Sequence, residues 1–216
     1  MSLNSQKEFN PTTDYNSIVK NIQDLTDTNV SKYTLKQIAR SVNNYINRAS
    51  SILLEHSDKK NWDDPNFNTL PQGVYDITAG ERNLTVFKDE EGKQILKIRL
   101  VIAKDTNGEW YRLEPMDIQQ PEARDIAYGD DTGKIYSYDW VGDSLVFDVI
   151  PEDDIAGGIK VFYERGLDYM NESDTTKEPG LPEHLHDYLV YGASYDYCIR
   201  KGLNRANAYG NKVKEI

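Results

Sequence analysis

The stretch "LPEHLHDYLVYGASYDYCIRKG", residues 181–202, decides how this chain is organised. Both of its ends read as helix ends. Pro182 suits a first helical position, where its missing N–H costs nothing. Glu183 at the start and Arg200 and Lys201 at the finish complement the helix dipole. Gly202 can take the left-handed conformation that stops a helix. At about 100° per residue, Leu185, Tyr188, Leu189, Gly192, Tyr195 and Ile199 share one face. Val190, Tyr191, Tyr197 and Cys198 lie elsewhere on the circumference. A surface helix has one apolar stripe, so apolar character all round predicts burial on more than one side. Asp196 falls inside the apolar face, between Leu185 and Leu189. A buried carboxylate needs a partner, and the expected one is Arg48, with Arg40 second. The alternative is that this end of the face meets solvent.

Working outward, the strongest amphipathic pattern lies upstream. Thr34-x-x-Gln37 reads as a capping box. Behind it Leu35, Ile38, Ala39, Val42, Tyr45, Ile46, Ala49 and Leu53 hold one face to about residue 56. A shorter helix precedes it through Tyr15, Ile18, Val19, Ile22 and Leu25. Residues 1–13 are polar and read as a flexible arm. A last short helix is expected within 203–216, through Ala206, Tyr209 and Val213.

Between these helices the period changes to two. "GVYDI" (73–77), "NLTVF" (83–87), "ILKIRLVIA" (95–103), "EWYRLEPMD" (109–117), "KIYSYDW" (134–140), "SLVFDVI" (144–150) and "IKVFYERG" (159–166) read as strands. "DTNG" at 105–108 is a strong hairpin signal, and "VGD" at 141–143 marks another turn. The helices flank this block and cannot all cover one small sheet. The expected fold is therefore α+β: a helical bundle from both chain ends, residues 14–60 plus 178–216, carrying an inserted antiparallel β-sandwich or barrel-like lobe, residues 61–177.

Composition narrows the function. The chain has 216 residues, 38% of them hydrophobic, with a mean hydropathy of -0.71, so its core is expected in small pieces. A net charge of -11 argues against general nucleic-acid binding, which needs clustered Lys and Arg. One cysteine excludes an internal disulfide and a multi-cysteine zinc site. "MSLNSQKEFNPTTDY" has no hydrophobic core and is not read as a signal peptide. No run approaches a membrane span. The expectation is a soluble protein made in a reducing compartment. Fifteen tyrosines supply apolar area with a hydrogen-bonding tip, which suits cores and interfaces alike.

Chemical signatures are weak. His184 and His186 are two apart on a helix and diverge by about 200°, so with His56 they make a poor metal set. Asp63-Asp64, Asp130-Asp131 and Asp153-Asp154 lack the alternation of a calcium loop and read as turns. No nucleophile elbow, phosphate loop or dinucleotide motif occurs. Cys198 inside a helix reads as a small packed hydrophobe. Trp62, Trp110 and Trp140 would serve a carbohydrate-binding module if exposed, and the core if not. No cofactor, metal or catalytic residue is expected.

Taken together, "YTLKQIARSVNNYINRASSILLE", "WDDPNFNTLPQGVYDITAGERNLTV", "WYRLEPMD", "YSYDWVGDSLVFDVIPEDD", "IKVFYERG" and the 181–202 stretch resemble the head-to-tail adaptor (neck or connector) proteins of tailed bacteriophages, including the tail tubular protein A type. The resemblance runs from about residue 14 to 203. Its strongest elements are "SLVFDVIP" and "LPEHLHDYLVYGASYDY". It implies a structural virion protein at the head–tail junction, made in the host cytoplasm. Such proteins form a homo-oligomeric ring, usually a dodecamer, under the portal protein. The ring extends the DNA channel for genome ejection and docks a tail, nozzle or neck protein. DNA passes without specific binding, and no membrane is involved. The short segment after Gly202 departs from relatives that continue further toward the portal. On this reading Leu185, Tyr188, Leu189, Tyr191, Gly192, Tyr195 and Tyr197 are packing and interface residues. A carbohydrate- or host-receptor-binding β module of a phage particle is the competing expectation, and a soluble hydrolase is third.

Overall fold

The structure, a computed structural model, describes residues 8–11, 17–56 (backbone alone for 54–56), 63–86, 88–118 and 129–216. Most of the expected arm, together with Tyr15, Trp62, Phe87 and the His56 side chain, lies outside the described residues. The chain divides into two compact units. One comprises Met1–Asn68 with Leu167–Ile216, the other Thr69–Gly166. These boundaries fall several residues inside those expected from composition. Asp64 is the reason on one side: its buried carboxylate accepts the Asp168 N–H at 2.7 Å and the Asn66 N–H at 2.9 Å. Asn66 in turn donates to the Glu178 carbonyl at 2.8 Å. These polar loops are thereby tied into the first unit.

In that unit, α1 (Ile18–Thr26) starts where Ser17 Oγ accepts the Lys20 N–H at 2.9 Å. Helix α2 (Leu35–His56) starts at the capping box, with Thr34 N–H to Gln37 Oε1 at 3.2 Å and Gln37 N–H to Thr34 Oγ1 at 3.3 Å. Pro182 precedes a single 3-10 turn, Glu183–Leu185, and the α-helix proper, α3, runs His186–Lys201. Gly202, at φ 65°, ends it, and the Leu203 N–H reaches back to the Cys198 carbonyl at 2.9 Å. The last helix, α4, is Ala206–Glu215.

The second unit contains β1 (Gln72–Ile77), β2 (Asn83–Thr85), β3 (Ile95–Lys104), β4 (Trp110–Arg112), β5 (Glu114–Pro115), β6 (Thr132–Gly133), β7 (Ser137–Val141), β8 (Ser144–Phe147), β9 (Ile150–Pro151) and β10 (Ile155–Arg165). They form a four-stranded antiparallel sheet, β1-β10-β3-β4, a second of order β2-β8-β7-β5, and a short pair β6-β9. The hairpin at Asp105–Gly108 joins β3 to β4, with Gly108 at φ 88° and Asp105 Oδ1 accepting the Asn107 and Glu109 N–H groups.

The expected architecture, a bundle from both ends with an inserted antiparallel sandwich or barrel, is not what the chain forms. Only the α+β class stands. Among the described residues the helices do not make a regular bundle: α1, α2 and α4 each pack on α3, and loop residues Phe9, Tyr33, Leu167, Met170 and Leu181 fill the gaps in that core. Nor do the strands make one antiparallel sandwich. β5 pairs with β7 and β6 with β9 in parallel, so the sheets are mixed. Two sequence runs that read as single strands each break between sheets. "EWYRLEPMD" breaks at buried Leu113, whose N–H goes to Val101 while Glu114 turns to Tyr136. "SLVFDVI" breaks at Asp148, whose carboxylate takes the Tyr136 N–H at 3.1 Å. No helix among the described residues is long and apolar enough to cross a membrane.

The second unit holds a buried polar clamp that the sequence did not announce. Arg165 is fully buried at the end of β10. Its guanidinium donates to Asp89 Oδ2 at 2.9 Å, to Thr69 Oγ1 at 3.0 Å and to the Thr69 carbonyl at 2.5 Å. The residue entering the unit is thus bonded to the residue about to leave it. Beside it, buried Glu164 forms an ion pair with Arg99.

Candidate functional site

Helix α3 is the element on which the sequence concentrates its signals. Its buried side chains are His186, Leu189, Val190, Ala193, Ser194, Tyr197 and Cys198, together with Gly192. This stripe shares only Leu189 and Gly192 with the one the apolar pattern marked. Ile199 is 53% exposed, Leu185, Tyr188, Tyr191 and Tyr195 are half-buried, and the deepest side chains are His186, Leu189, Ala193, Ser194 and Cys198. A histidine and small residues can sit there because their polar atoms and volumes are matched. His186 Nε2 lies 3.0 Å from the Leu181 carbonyl, and Ser194 Oγ donates to the Val190 carbonyl at 2.8 Å. His184 is exposed, so the two histidines do not converge.

The tyrosines organise around this helix in pairs. Tyr197 stacks on Tyr33 with ring centroids 4.6 Å apart. Tyr188 meets Tyr45 edge-on at 5.3 Å, and Tyr191 meets Tyr209 at 6.2 Å. Tyr195 lies close to Gly210, where a Cβ would come within 2.9 Å of its ring. Gly192 faces the Tyr45 ring so closely that a Cβ built there would overlap it. The close approach at Gly192 is therefore made by a ring of the same chain.

The Asp196 carboxylate meets a hydroxyl where Arg48 or Arg40 was expected, while Arg200 Nε donates to the Asp196 backbone carbonyl at 3.2 Å. The Tyr45 hydroxyl donates to Asp196 Oδ1 at 3.3 Å. Arg48 instead lies over the Tyr45 ring, 5.0 Å from the centroid, and is itself exposed. Arg40 is exposed and lines an open groove with Lys36, Asn44 and Glu172. The Asp196–Arg48 pair is thus replaced by a chain of three groups: cation over ring, hydroxyl to carboxylate. Burial pushes the Asp196 carboxyl above its ordinary range, against the Tyr45 hydrogen bond and the fields of Arg48 and Arg200. Burial, with Asp196 alongside, likewise raises Tyr45 well above a free phenol. Cys198 is buried, and burial raises its thiol, so it is a poor thiolate.

In the second unit a cleft of about 170 Å³ is lined by Tyr111, Lys104, Asp105, Lys134, Glu152 and Asp153, among others. Lys134 Nζ sits 4.0 Å from the Tyr111 ring centre and 3.6 Å from Asp105 Oδ2. The Asp105 carboxyl is held below its usual range, chiefly by the Glu109 N–H and then by that of Asn107. A carboxylate held ionised by turn N–H groups stabilises a turn and is a weak proton carrier. Trp140 packs against the core, whereas Trp110 is 39% exposed. Among the described residues no three His, Cys, Asp or Glu side chains are grouped to hold a metal ion. Sequence reading missed Tyr45 as the partner of Asp196 and missed the Arg165 clamp. The one available signal was the adjacent Glu164-Arg165 pair closing an apolar strand, where strict alternation would leave one of the two outside. No family model matches the chain, and no curated protein does.

Proposed function

We propose that this chain is a structural virion protein that forms a ring between the portal and the tail of a tailed bacteriophage. The observation that carries the reading is the 181–202 stretch, with the resemblance described above and the use the chain makes of it. The small residues of "YGAS" admit Tyr45 and Tyr33 against the backbone of α3: Tyr45 over Gly192, and the Tyr33 hydroxyl 3.3 Å from the Ala193 carbonyl. The helix thus acts as a packing hub on which α1, α2 and α4 rest. A rigid hub suits a subunit that repeats around a channel. The net charge of -11 suits a channel wall past which DNA slides without sticking. The role is non-catalytic and calls for no cofactor. Its partners are further copies of the chain, usually twelve in the family resembled, the portal, and a tail, nozzle or neck protein. The chain would sit at the head–tail junction of the particle.

The test is antibody labelling of purified particles, joined to native mass measurement of the protein mixed with the portal of the same particle. Label at the head–tail vertex and a ring-sized complex support the reading. Label on fibres or spikes, with glycan binding by the purified protein, would replace it with the receptor-binding module. Exposed Trp110 is the feature that favours that second reading.

A further inference from the structure

Helix α2 turns a polar face toward the segment around Met170, and part of that face is left open. Asn43 holds the covered part. Its Oδ1 accepts the Met170 N–H and its Nδ2 donates to the Met170 carbonyl, both at 2.9 Å. One turn on, Asn47 Oδ1 accepts the Tyr169 hydroxyl at 2.7 Å. A carboxamide of α2 thus holds main chain through its donor and its acceptor together. The chain then turns away: the Asn171 N–H goes to Asp174 Oδ2 at 2.8 Å, and the Asp174 N–H to the Asn171 carbonyl at 3.1 Å.

The turn leaves a groove of about 600 Å³ between α2 and residues 169–173, all of it within the first unit. Ligand clefts span about 300–1,000 Å³. Lys36, Arg40, Asn44 and Asn171 line the groove, and all four are exposed. Among the described residues none of these side chains is taken up by an ion pair or a hydrogen bond. From Leu35 to Leu53, α2 carries Lys36, Arg40 and Arg48 and no acid, in a chain of net charge -11. Glu172 lines the loop side, so two cations share the groove with one carboxylate.

Two observations select the occupant. A carboxamide presents a donor beside an acceptor, which matches a peptide main chain, as Asn43 does with Met170. A phosphodiester offers acceptors alone, and the acidic chain repels a polyanion. The surplus cation calls for a single carboxylate.

We propose that this groove binds an extended segment of a partner protein that carries an acidic side chain. Asn44 and Asn171 take its main chain from the two walls. Arg40 and Lys36, four residues apart on one helix face, take its carboxylate. The site stands independently of the ring reading.

The probe is a pool of random heptapeptides, acetylated and amidated so that side chains alone carry charge, selected on the immobilised full chain. The enriched peptides should share an Asp or Glu. Fluorescence anisotropy of labelled copies should show binding weakened about tenfold or more by Arg40→Glu, the loss of a charge-assisted hydrogen bond, and about threefold or more by Asn44→Ala. Both positions are exposed, and matching thermal melts establish that the variants fold. No enrichment, enrichment without an acidic residue, or binding undiminished in either variant overturns the proposal. So does a labelled single-stranded oligonucleotide that binds through Arg40 where the peptides do not, since the groove would then serve phosphates. The particle labelling above judges the ring reading separately.

Discussion

The Tyr45 ring fills the space in which a side chain at Gly192 would stand. Helix propensity and packing therefore oppose each other at this position. Alanine would gain about 1 kcal/mol over glycine in a helix interior, whereas forcing extra volume into a packed contact costs about 1–3 kcal/mol. Packing wins here because the ring is buried and held by its own hydrogen bond to Asp196. Gly192→Ala should lower the melting temperature, and Gly192→Leu should lower it further. Tyr45→Leu should lessen the penalty in the double variant. Additive effects in that thermal-melt cycle would show the two residues do not touch.

Asp196 should respond to pH in the direction opposite to an ion-paired carboxylate. Its folded pKa is raised, chiefly by burial. Its contribution is therefore fully present below the unfolded pKa, about 3.9, and is lost as pH rises through the folded value. At pH 7 the charged group costs stability. Asp196→Asn, which can still accept from Tyr45, should raise stability at pH 7 by less than about 1 kcal/mol for this partly exposed site. The gain should shrink as denaturation is repeated toward pH 3.5. A loss of about 3–5 kcal/mol at pH 7 would instead mark a buried ion pair.

Arg165 and Asp89 should be the most sensitive pair in the second unit, since neither side chain has any exposure. Removing one partner strands the other, at about 3–5 kcal/mol. Asp89→Ala and Arg165→Ala should each shift the urea midpoint accordingly. Arg165→Lys should recover little, because a single ammonium cannot reproduce a fork that serves Asp89 and two Thr69 oxygens.

Replacing residues 69–166 by a short flexible linker between Asn68 and Leu167 should leave α1 to α4 folded. Their core cluster draws on no residue of the removed segment. Far-UV circular dichroism should retain a cooperative helical melt, and loss of that melt would show that the first unit depends on the second.

Local chemistry carried the legible part of the fold. The Thr34–Gln37 box, the Gly202 stop and the Asp105–Gly108 turn each depend on residues close in sequence, so the chain states them outright. What was not legible depends on distant partners. The helical wheel ranked Ile199 as core and passed over His186, because it scores apolar character and cannot see that Leu181 supplies a carbonyl. It placed Asp196 on a covered face but had no way to choose a hydroxyl over a guanidinium as its partner. Strand runs were visible, while their division between sheets turned on where Leu113 and Asp148 redirect the backbone.

The Arg165 clamp has a mechanical consequence. The first and last strands of the second unit, β1 and β10, are antiparallel neighbours, and the clamp sits where they enter and leave it. Tension that draws the two ends apart would peel this pair one hydrogen bond at a time, which is the weakest way to load a ladder. Arg165, bonded to Thr69 and anchored by Asp89, stands at the point where peeling would begin. Resistance to pulling should therefore reside in a single guanidinium more than in the length of the sheet behind it.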